Sequence, residues 1–591
     1  MNSLAVLHRP KSEYAYAYDV NHLHILLRTQ KDDVSSVFLR CGDPFLWDRT
    51  SEPYRWIYED VKMEIRYQTA DYDYYFVELQ PQYKRLQYAF LLQDQHDRYV
   101  YSPDGMRSFS VDDEITAYFK FPYLHQDDLH QTPTWVKHQI WYQIFCDRFY
   151  SGEQSSLSDA TLPVKNTVHY GGTLHGIHEK LDYLKDLGVT AIYLTPLFES
   201  PTAHKYDTAN YFKIDPHFGS EEDLKKLVKK AHVYHMKVML DGVFNHAGFF
   251  HPFFQDVIKN GEKSLYKDCF YIDEFPVINF PLDPSGKPMN YHGIPLRYRT
   301  FSFQPNMPKW NTSHPLVEKH LLDVVSYWIE KTDIDGWRLD VSNELSHAFL
   351  RKIKDRARSL KNDVFILGEN WDESLPWLMG DQLDSVMNYE LSYIIWGFIS
   401  HQITNDELIN RMMIHHAKTP KNVLMNLFNL LGSHDTMRID HRCHGDIKNV
   451  ILSYLLMYLS SGTPMIYYGD EIGLKGDHDP DNRRLFDWDE DHWNKTLLMF
   501  IKKLNNLRKT HFDLLTSDFH FLSHPDVLIF TKSINNKHLL CIINHAKEKE
   551  ITLQENLFGD YHDLINEQKI RIHDKIKIDA PSFYLLYKED V

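Results

Sequence analysis

At four places in this chain a predicted strand gives way to a loop bearing reactive side chains. VMLDGVFNH carries Asp241, Asn245 and His246, GWRLDV carries Arg338 and Asp340, FILGEN carries Glu369, and NLLGSHD carries His434 and Asp435. Arg338 and Asp340 are two positions apart, so on a strand they share a face and the guanidinium is placed to hold the aspartate ionised. An ionised carboxylate is what a nucleophile needs. Glu369 follows an apolar strand and reads as a proton donor. A nucleophilic carboxylate and a carboxylic acid about 5–5.5 Å apart are the apparatus of a retaining glycosidase. Any single Asp after a strand reads equally well as the N-cap of the next helix; four such placements in order favour one common site.

The elements that must position these groups follow from the hydrophobic pattern. From about residue 136 apolar strands alternate with amphipathic helices: IWYQIF, VTAIYLTPLF, KVMLDGVFNH, DGWRLDV, VFILGENW, DSVMNYEL, VLMNLFNLLGSHD and TPMIYYGDE. Eight strands in βα alternation predict a (β/α)8 TIM barrel, whose catalytic groups sit at the C-terminal strand ends. Local signals agree. Gly188 suits a left-handed helix end, Ser220 and Asp223 suit a capping box, and Leu224, Leu227, Val228 and Ala231 share one face of the helix that follows. Leu321, Val324, Val325 and Trp328 mark the helix before DGWRLDV.

Before the barrel, YAYAYDV, VKMEIRYQT and LQYAFLLQD alternate, the last with Leu86, Tyr88, Phe90 and Leu92 on one face. After it, DVLIFTKS, HLLCIINHA and SFYLLYK alternate again. The expected organisation is multidomain. An N-terminal antiparallel β-sandwich spans 1–125, a central barrel spans 126–508 with an inserted Pro- and aromatic-rich subdomain at about 247–310, and a C-terminal antiparallel β-sandwich spans 509–591. The segment FPYLHQDDLHQTPTWV reads as a linker.

Composition narrows the function classes. The formal charge of −17 without a basic block argues against a nucleic-acid partner. No stretch approaches the ~20 apolar residues of a membrane span, and the N-terminus has only a very short apolar run, so the chain is expected to be cytoplasmic with no membrane partner. Cys41, Cys146, Cys269, Cys443 and Cys541 lie far apart without metal spacing and are expected to be reduced. Aromatics make up 14% of the residues, which fits either sugar-ring stacking or Tyr-rich sheets.

The segments DGVFNH, GWRLDVSNE, ILGENW and LLGSHD resemble, in order, the four signature regions of glycoside hydrolase family 13, the α-amylase family. MPKWN (307–311) resembles its fifth region in the neopullulanase, cyclomaltodextrinase and maltogenic amylase subgroup, where MPKLN is more usual. The resemblance, including a starch-binding-like N-terminal domain, extends over nearly the whole chain. It implies Asp340 as nucleophile, Glu369 as acid/base and Asp435 as a third carboxylate that binds sugar hydroxyls. It makes His246, Arg338 and His434 contacts at the glucose unit being cleaved. Tyr206 becomes a stacking platform beneath that unit or, alternatively, ordinary packing. Asp479 and Arg483 grip the neighbouring unit or form a loop ion pair. Glu344, Trp371 and Phe301 are implied on the acceptor side, Phe301 being equally readable as core.

The implied function is hydrolysis of α-1,4 bonds in cyclomaltodextrins, maltooligosaccharides and pullulan or starch, with some transglycosylation and no cofactor. An isomerase or glucosyltransferase on a disaccharide is the alternative on this fold. A non-catalytic barrel is disfavoured by the presence of all three acids. The resemblance also implies a homodimer in which Phe45 and Trp47 of CGDPFLWD reach the neighbouring subunit's cleft; local packing is the other reading. Many subgroup members hold calcium after the first barrel strand. Here Ser151, Ser156 and Leu157 replace usual ligands, Thr173 stands after Gly171 and Gly172 in place of Asp, and Glu153 alone keeps a charge. No metal site is expected.

Overall fold

A computed structural model describes residues 1–50, 52–110, 114–152 and 163–590. The chain forms two compact units. One comprises residues 1–131 with 378–381 and 403–425, the other 132–377, 382–402 and 426–591.

The first unit is built on antiparallel strands. Leu23–Gln30 pairs with Tyr72–Leu79, that strand with Glu59–Gln68, then Ser36–Gly42, Leu86–Gln93 and Arg98–Ser102 follow in spatial order. Leu86, Tyr88, Phe90 and Leu92 enter its core with Leu23, Ile25, Val37 and Leu39. The helix Asn405–Ala417 belongs to this unit. It opens on a capping box of Thr404 and Glu407, buries Leu408, Met412 and Met413, and takes a hydrogen bond at Asn410 Oδ1 from the Ala70 N–H at 2.7 Å.

The second unit contains the barrel. Its strands are β1 (Trp141–Ile144), β2 (Ala191–Leu194), β3 (Lys237–Gly242), β4 (Gly336–Leu339), β5 (Phe365–Gly368), β6 (Ser385–Val386), β7 (Phe428–Asn429) and β8 (Thr463–Tyr467). They pair in parallel in the order 6-5-4-3-2-1-8-7, and a parallel bridge from Met387 to Phe428 closes the ring. Almost every strand residue is buried, as parallel strands covered on both faces require.

The local signals hold. Gly188 ends the helix Leu181–Leu187 at φ 93°, and Ser220 with Asp223 forms the capping box of Glu221–Val233, whose Leu224, Leu227, Val228 and Ala231 are buried. The C-terminal strands form a six-stranded antiparallel sheet and a two-stranded one around Ile529, Leu540, Ile542, Tyr561 and Leu586. They share the second unit with the barrel, where Phe583 meets Phe500 edge-on at 5.9 Å. All five cysteines are buried and free. No helix of the described residues is long and apolar enough to cross a membrane.

Candidate active site

Arg338 and Glu369 meet the C-terminal rim of the barrel from adjacent strands. Arg338 lies in β4, Asp340 directly follows it, and Glu369 directly follows β5. The wholly buried guanidinium serves three carboxylates. Nη1 donates to Asp340 Oδ1 at 2.8 Å and to both oxygens of Asp241 at 3.1 Å, while Nη2 is paired with Glu369 Oε2 at 2.7 Å. Asp340 Oδ2 accepts no hydrogen bond from any described residue. Glu369 is held at both oxygens, since Trp371 Nε1 donates to Oε1 and the Val341 N–H to Oε2, each at 3.0 Å.

A second chain of contacts runs around the opposite rim. The Gln143 amide, from β1, donates to His434 Nδ1 at 2.7 Å, which places the imidazole proton on Nε2. That N–H faces Asp435 Oδ2 at 3.0 Å and the Tyr206 hydroxyl, which in turn donates to Asp241 Oδ2 at 3.0 Å. Tyr206 and His434 are parallel, 5.3 Å between centroids. Arg483 donates through Nε to the His434 carbonyl at 2.9 Å and reaches Asp435 Oδ1 at 3.4 Å and Asp479 Oδ1 at 3.1 Å.

Between these rims lies a cleft of ≈ 540 Å³. Of the residues expected at a site, Tyr206, His246, Phe301, Asp340, Glu344, Glu369, Trp371, Asp435, Asp479 and Arg483 line it, and Arg338 and His434 lie buried behind it. Phe301 stacks on His246 at 5.2 Å and 13°. Glu344 pairs with Lys309 of MPKWN at 2.9 Å. Asn166, His204, Met307, Val341 and Asn343 line the cleft as well. Met307 lies inside MPKWN and Val341 and Asn343 inside GWRLDVSNE, whereas no sequence signal singles out Asn166. Asn166 bonds to Asp479 Oδ1 at 2.7 Å across more than 300 residues.

Several known proteins are similar to this chain. The family described as alpha amylase, catalytic domain, matches residues 143–518. The chain belongs to the α-amylase family. The family described as alpha amylase, N-terminal ig-like domain, matches residues 1–125. This α-amylase-family chain is 44% identical over 557 residues to a cyclomaltodextrinase of Geobacillus thermopakistaniensis, covering 93% of this chain and 92% of that one. It is 38% identical over 604 residues to an intracellular maltogenic amylase of Bacillus subtilis, covering 99% of each. A solved cyclomaltodextrinase structure superposes at TM-score 0.90 with 37% identity over the full length of both chains. These likenesses place it in the cyclomaltodextrinase, maltogenic amylase and neopullulanase subgroup, and it is a glycosidase.

The electrostatics of this α-amylase-family site are set by burial. Burial, reinforced by Glu369 and Asp241, pushes the Asp340 carboxyl well above the ordinary carboxylate range, against the pull of Arg338. Asp241 is raised by burial to about 6 for the same reason, and Asp435 is raised too. One guanidinium faces three carboxylates, and at Asp340 and Asp241 burial outweighs its pull. Arg338 acts on Asp340 in the expected direction, toward the ionised form, and burial acts against it. Burial drives His246 down to about 3 and His434 well below its ordinary value, so both are neutral near pH 7.

In the loop after β1, Glu153, Ser156 and Leu157 lie outside the described residues. Thr173 is described: it caps the helix Leu174–Glu179 by accepting the Gly176 N–H at 2.9 Å and donates to the Ser151 carbonyl at 3.2 Å. Among the described residues no group of three or more His, Cys, Asp or Glu side chains is placed to hold a metal.

Proposed function

We propose that this protein is a retaining hydrolase of α-1,4-glucosidic bonds in cyclomaltodextrins and maltooligosaccharides, with Asp340 as nucleophile, Glu369 as acid/base and Asp435 as the carboxylate that grips sugar hydroxyls. The observation that carries the reading is Arg338, whose two terminal nitrogens touch Asp340 and Glu369 at 2.8 and 2.7 Å at the edge of the cleft. Two carboxylates spanned by one guanidinium suit the ~5 Å pair of a retaining enzyme better than the ~6.5–9.5 Å pair of an inverting one. Asp340 Oδ2 attacks the anomeric carbon while Glu369 gives its proton to the departing glycosidic oxygen. A glycosyl ester forms on Asp340. Glu369, now ionised, takes a proton from the water or sugar hydroxyl that opens the ester, and the starting configuration is restored.

The remaining roles follow from position. Tyr206 presents its ring to the cleft for stacking, with the neutral His246 beside it, and His434, engaged by Gln143 and Asp435, braces the wall from behind. Asp479 and Arg483 bind the unit beyond, and Glu344, Trp371 and Phe301 line the acceptor side. The sugars are neutral and need no cofactor. Homodimerisation belongs to the same proposal. Phe45, Trp47 and Tyr54 are exposed on the first unit, at 69%, 43% and 58%, and in a dimer they narrow the neighbouring subunit's cleft against bulky starch.

The deciding experiment incubates the protein with β-cyclodextrin, starch and pullulan and follows products over time. Rapid ring opening with slow starch cleavage is expected. An isomerised disaccharide as the main product, or no bond cleavage at all, overturns the reading. Light scattering at micromolar concentration checks the dimer; a monomer with full preference for cyclodextrin removes that part.

A further inference from the structure

Among the described residues Val341 is the one β-branched residue with a positive φ, at φ 47° and ψ 45°. Such a residue in the left-handed region is a true outlier, because its branched Cβ crowds the adjoining carbonyl. Strain of this kind persists where the surroundings over-determine the backbone, and it gathers at functional sites.

The surroundings are visible on both sides of Val341. The Asp340 N–H donates to the Gly242 carbonyl at 3.1 Å. Ser342 donates twice to the Glu369 carbonyl, through its N–H and its Oγ, each at 3.1 Å, and its Oγ also reaches Asn370 Oδ1 at 2.7 Å. A side chain at Gly368 would meet Ser342 Oγ at 2.5 Å, so the exits of β4 and β5 approach as closely as glycine permits. The left-handed turn between these anchors directs the Val341 N–H at Glu369 Oε2, 3.0 Å away, and Val341 itself lines the cleft.

We infer that the turn at Val341 serves to aim this main-chain N–H, making Val341 a positioning residue that ties the Glu369 carboxylate to the strand exit carrying Asp340. The inference rests on the roles proposed above for those two acids. Among the described residues Oε2 takes the Val341 N–H and faces Arg338, while Oε1 takes the Trp371 N–H alone, so the exchangeable proton is assigned to Oε1. A donor on a carboxylate favours its ionised form, so the Val341 N–H helps Glu369 release its proton in the first step and wait ionised in the second. The other titratable or charged groups facing Glu369 are Arg338 and Asp340 from β4, Asp241 from β3, Tyr193 from β2, Tyr389 from the helix after β6 and His434 from the loop after β7. All of these stay in place when the one N–H is removed.

The test replaces Val341 by its α-hydroxy acid counterpart, which turns the 340–341 amide into an ester and deletes the donor while keeping the side chain. The alkaline limb of kcat/KM is expected to move up by about 1 pH unit, the size of one hydrogen bond to a charged group. Val341→Gly keeps the donor without the branched side chain and is expected to leave that limb where it is. An unmoved limb in the ester protein, or an equal movement in Val341→Gly, overturns the inference. A measurement on the unaltered protein covers the case in which the ester protein does not fold. In 15N-valine-labelled enzyme the Val341 amide proton should titrate with the alkaline limb, and Glu369→Gln should abolish that titration; a resonance flat through the limb overturns the inference. The underlying reading is separable. If Glu369→Gln leaves the alkaline limb of activity in place, the acid/base role fails and this inference with it; if it removes the limb while the ester does not move it, only the Val341 inference fails.

Discussion

The indole N–H of Trp371 donates to Oε1 of Glu369 at 3.0 Å, and the same ring lies flat on Tyr389 with 3.8 Å between centroids. The ring therefore does two things at once, stacking as a wall and donating to the oxygen assigned the mobile proton. Trp371→Phe separates them, because phenylalanine keeps a stack and loses the donor. Steady-state kinetics on maltotriose should show kcat/KM lowered about tenfold, from ~1.4 kcal/mol of lost interaction with a charged group, with the melting temperature nearly unchanged. Unchanged kcat/KM would show the bond to be incidental.

Asp340→Asn keeps the shape of the side chain and a contact for Arg338 but removes the nucleophile. Turnover should fall about 10³-fold or more, while β-cyclodextrin binding measured by calorimetry persists. Retention of even a tenth of kcat would assign the attack to another group.

Glu369→Gln should discriminate between leaving groups. Maltooligosaccharides need a proton on the departing oxygen and activated aryl glycosides do not, so the loss should be far larger on the former. Equal losses on both would take Glu369 out of proton transfer.

The acid limb of the activity profile should lie above the ~3.9 of a free aspartate, because burial, Glu369 and Asp241 raise the Asp340 pKa and only the ionised form attacks. The sign for stability is opposite. A carboxyl with a raised folded-state pKa binds its proton more tightly folded than unfolded, so its contribution is fully present below the unfolded pKa and is lost as pH rises through the folded value. For Asp241 that window runs from about 3.9 up to about 6. Acidification through this range should switch activity off while this cluster gains stability. The measurement is activity regained on return to pH 7, with circular dichroism unchanged at the acid end. Irreversible loss would mean that unfolding and not protonation sets the limb.

EDTA should leave activity and melting temperature nearly unchanged. The hydroxyl of Thr173 is committed to the Gly176 N–H and the Ser151 carbonyl, so two of the positions at which the family resemblance implies calcium ligands bond each other. A drop of several degrees reversed by calcium would locate a metal in the loop.

What the sequence made legible is what short-range chemistry controls. Gly188, the Ser220–Asp223 box and the shared face of Arg338 and Asp340 are each settled within four residues of chain. The eight-strand alternation was readable because every βα unit repeats the same hydrophobic period. The partners that fix the site were not readable: Gln143 meets His434 across 291 positions, and no local pattern says which rim residue a β1 amide will face. Val341 was invisible for a different reason, since a valine in sequence advertises a strand and its left-handed turn exists only because two strand exits pin it. The helix Asn405–Ala417 is a further case, since no local pattern says which body it packs on.

That helix has a consequence for how the protein can be dissected or inherited. The polypeptide enters the first unit three times, at 1–131, 378–381 and 403–425, and the last visit supplies Leu408, Met412 and Met413 and the Asn410 bond to the Ala70 N–H. Severing the gene after codon 125 would thus not release an autonomous module. It would strip the apolar face of this helix of its bedding and leave the helix dangling between β6 and β7. A recombination event that swapped only the N-terminal segment between relatives would have to carry a matching 403–425 graft to remain soluble.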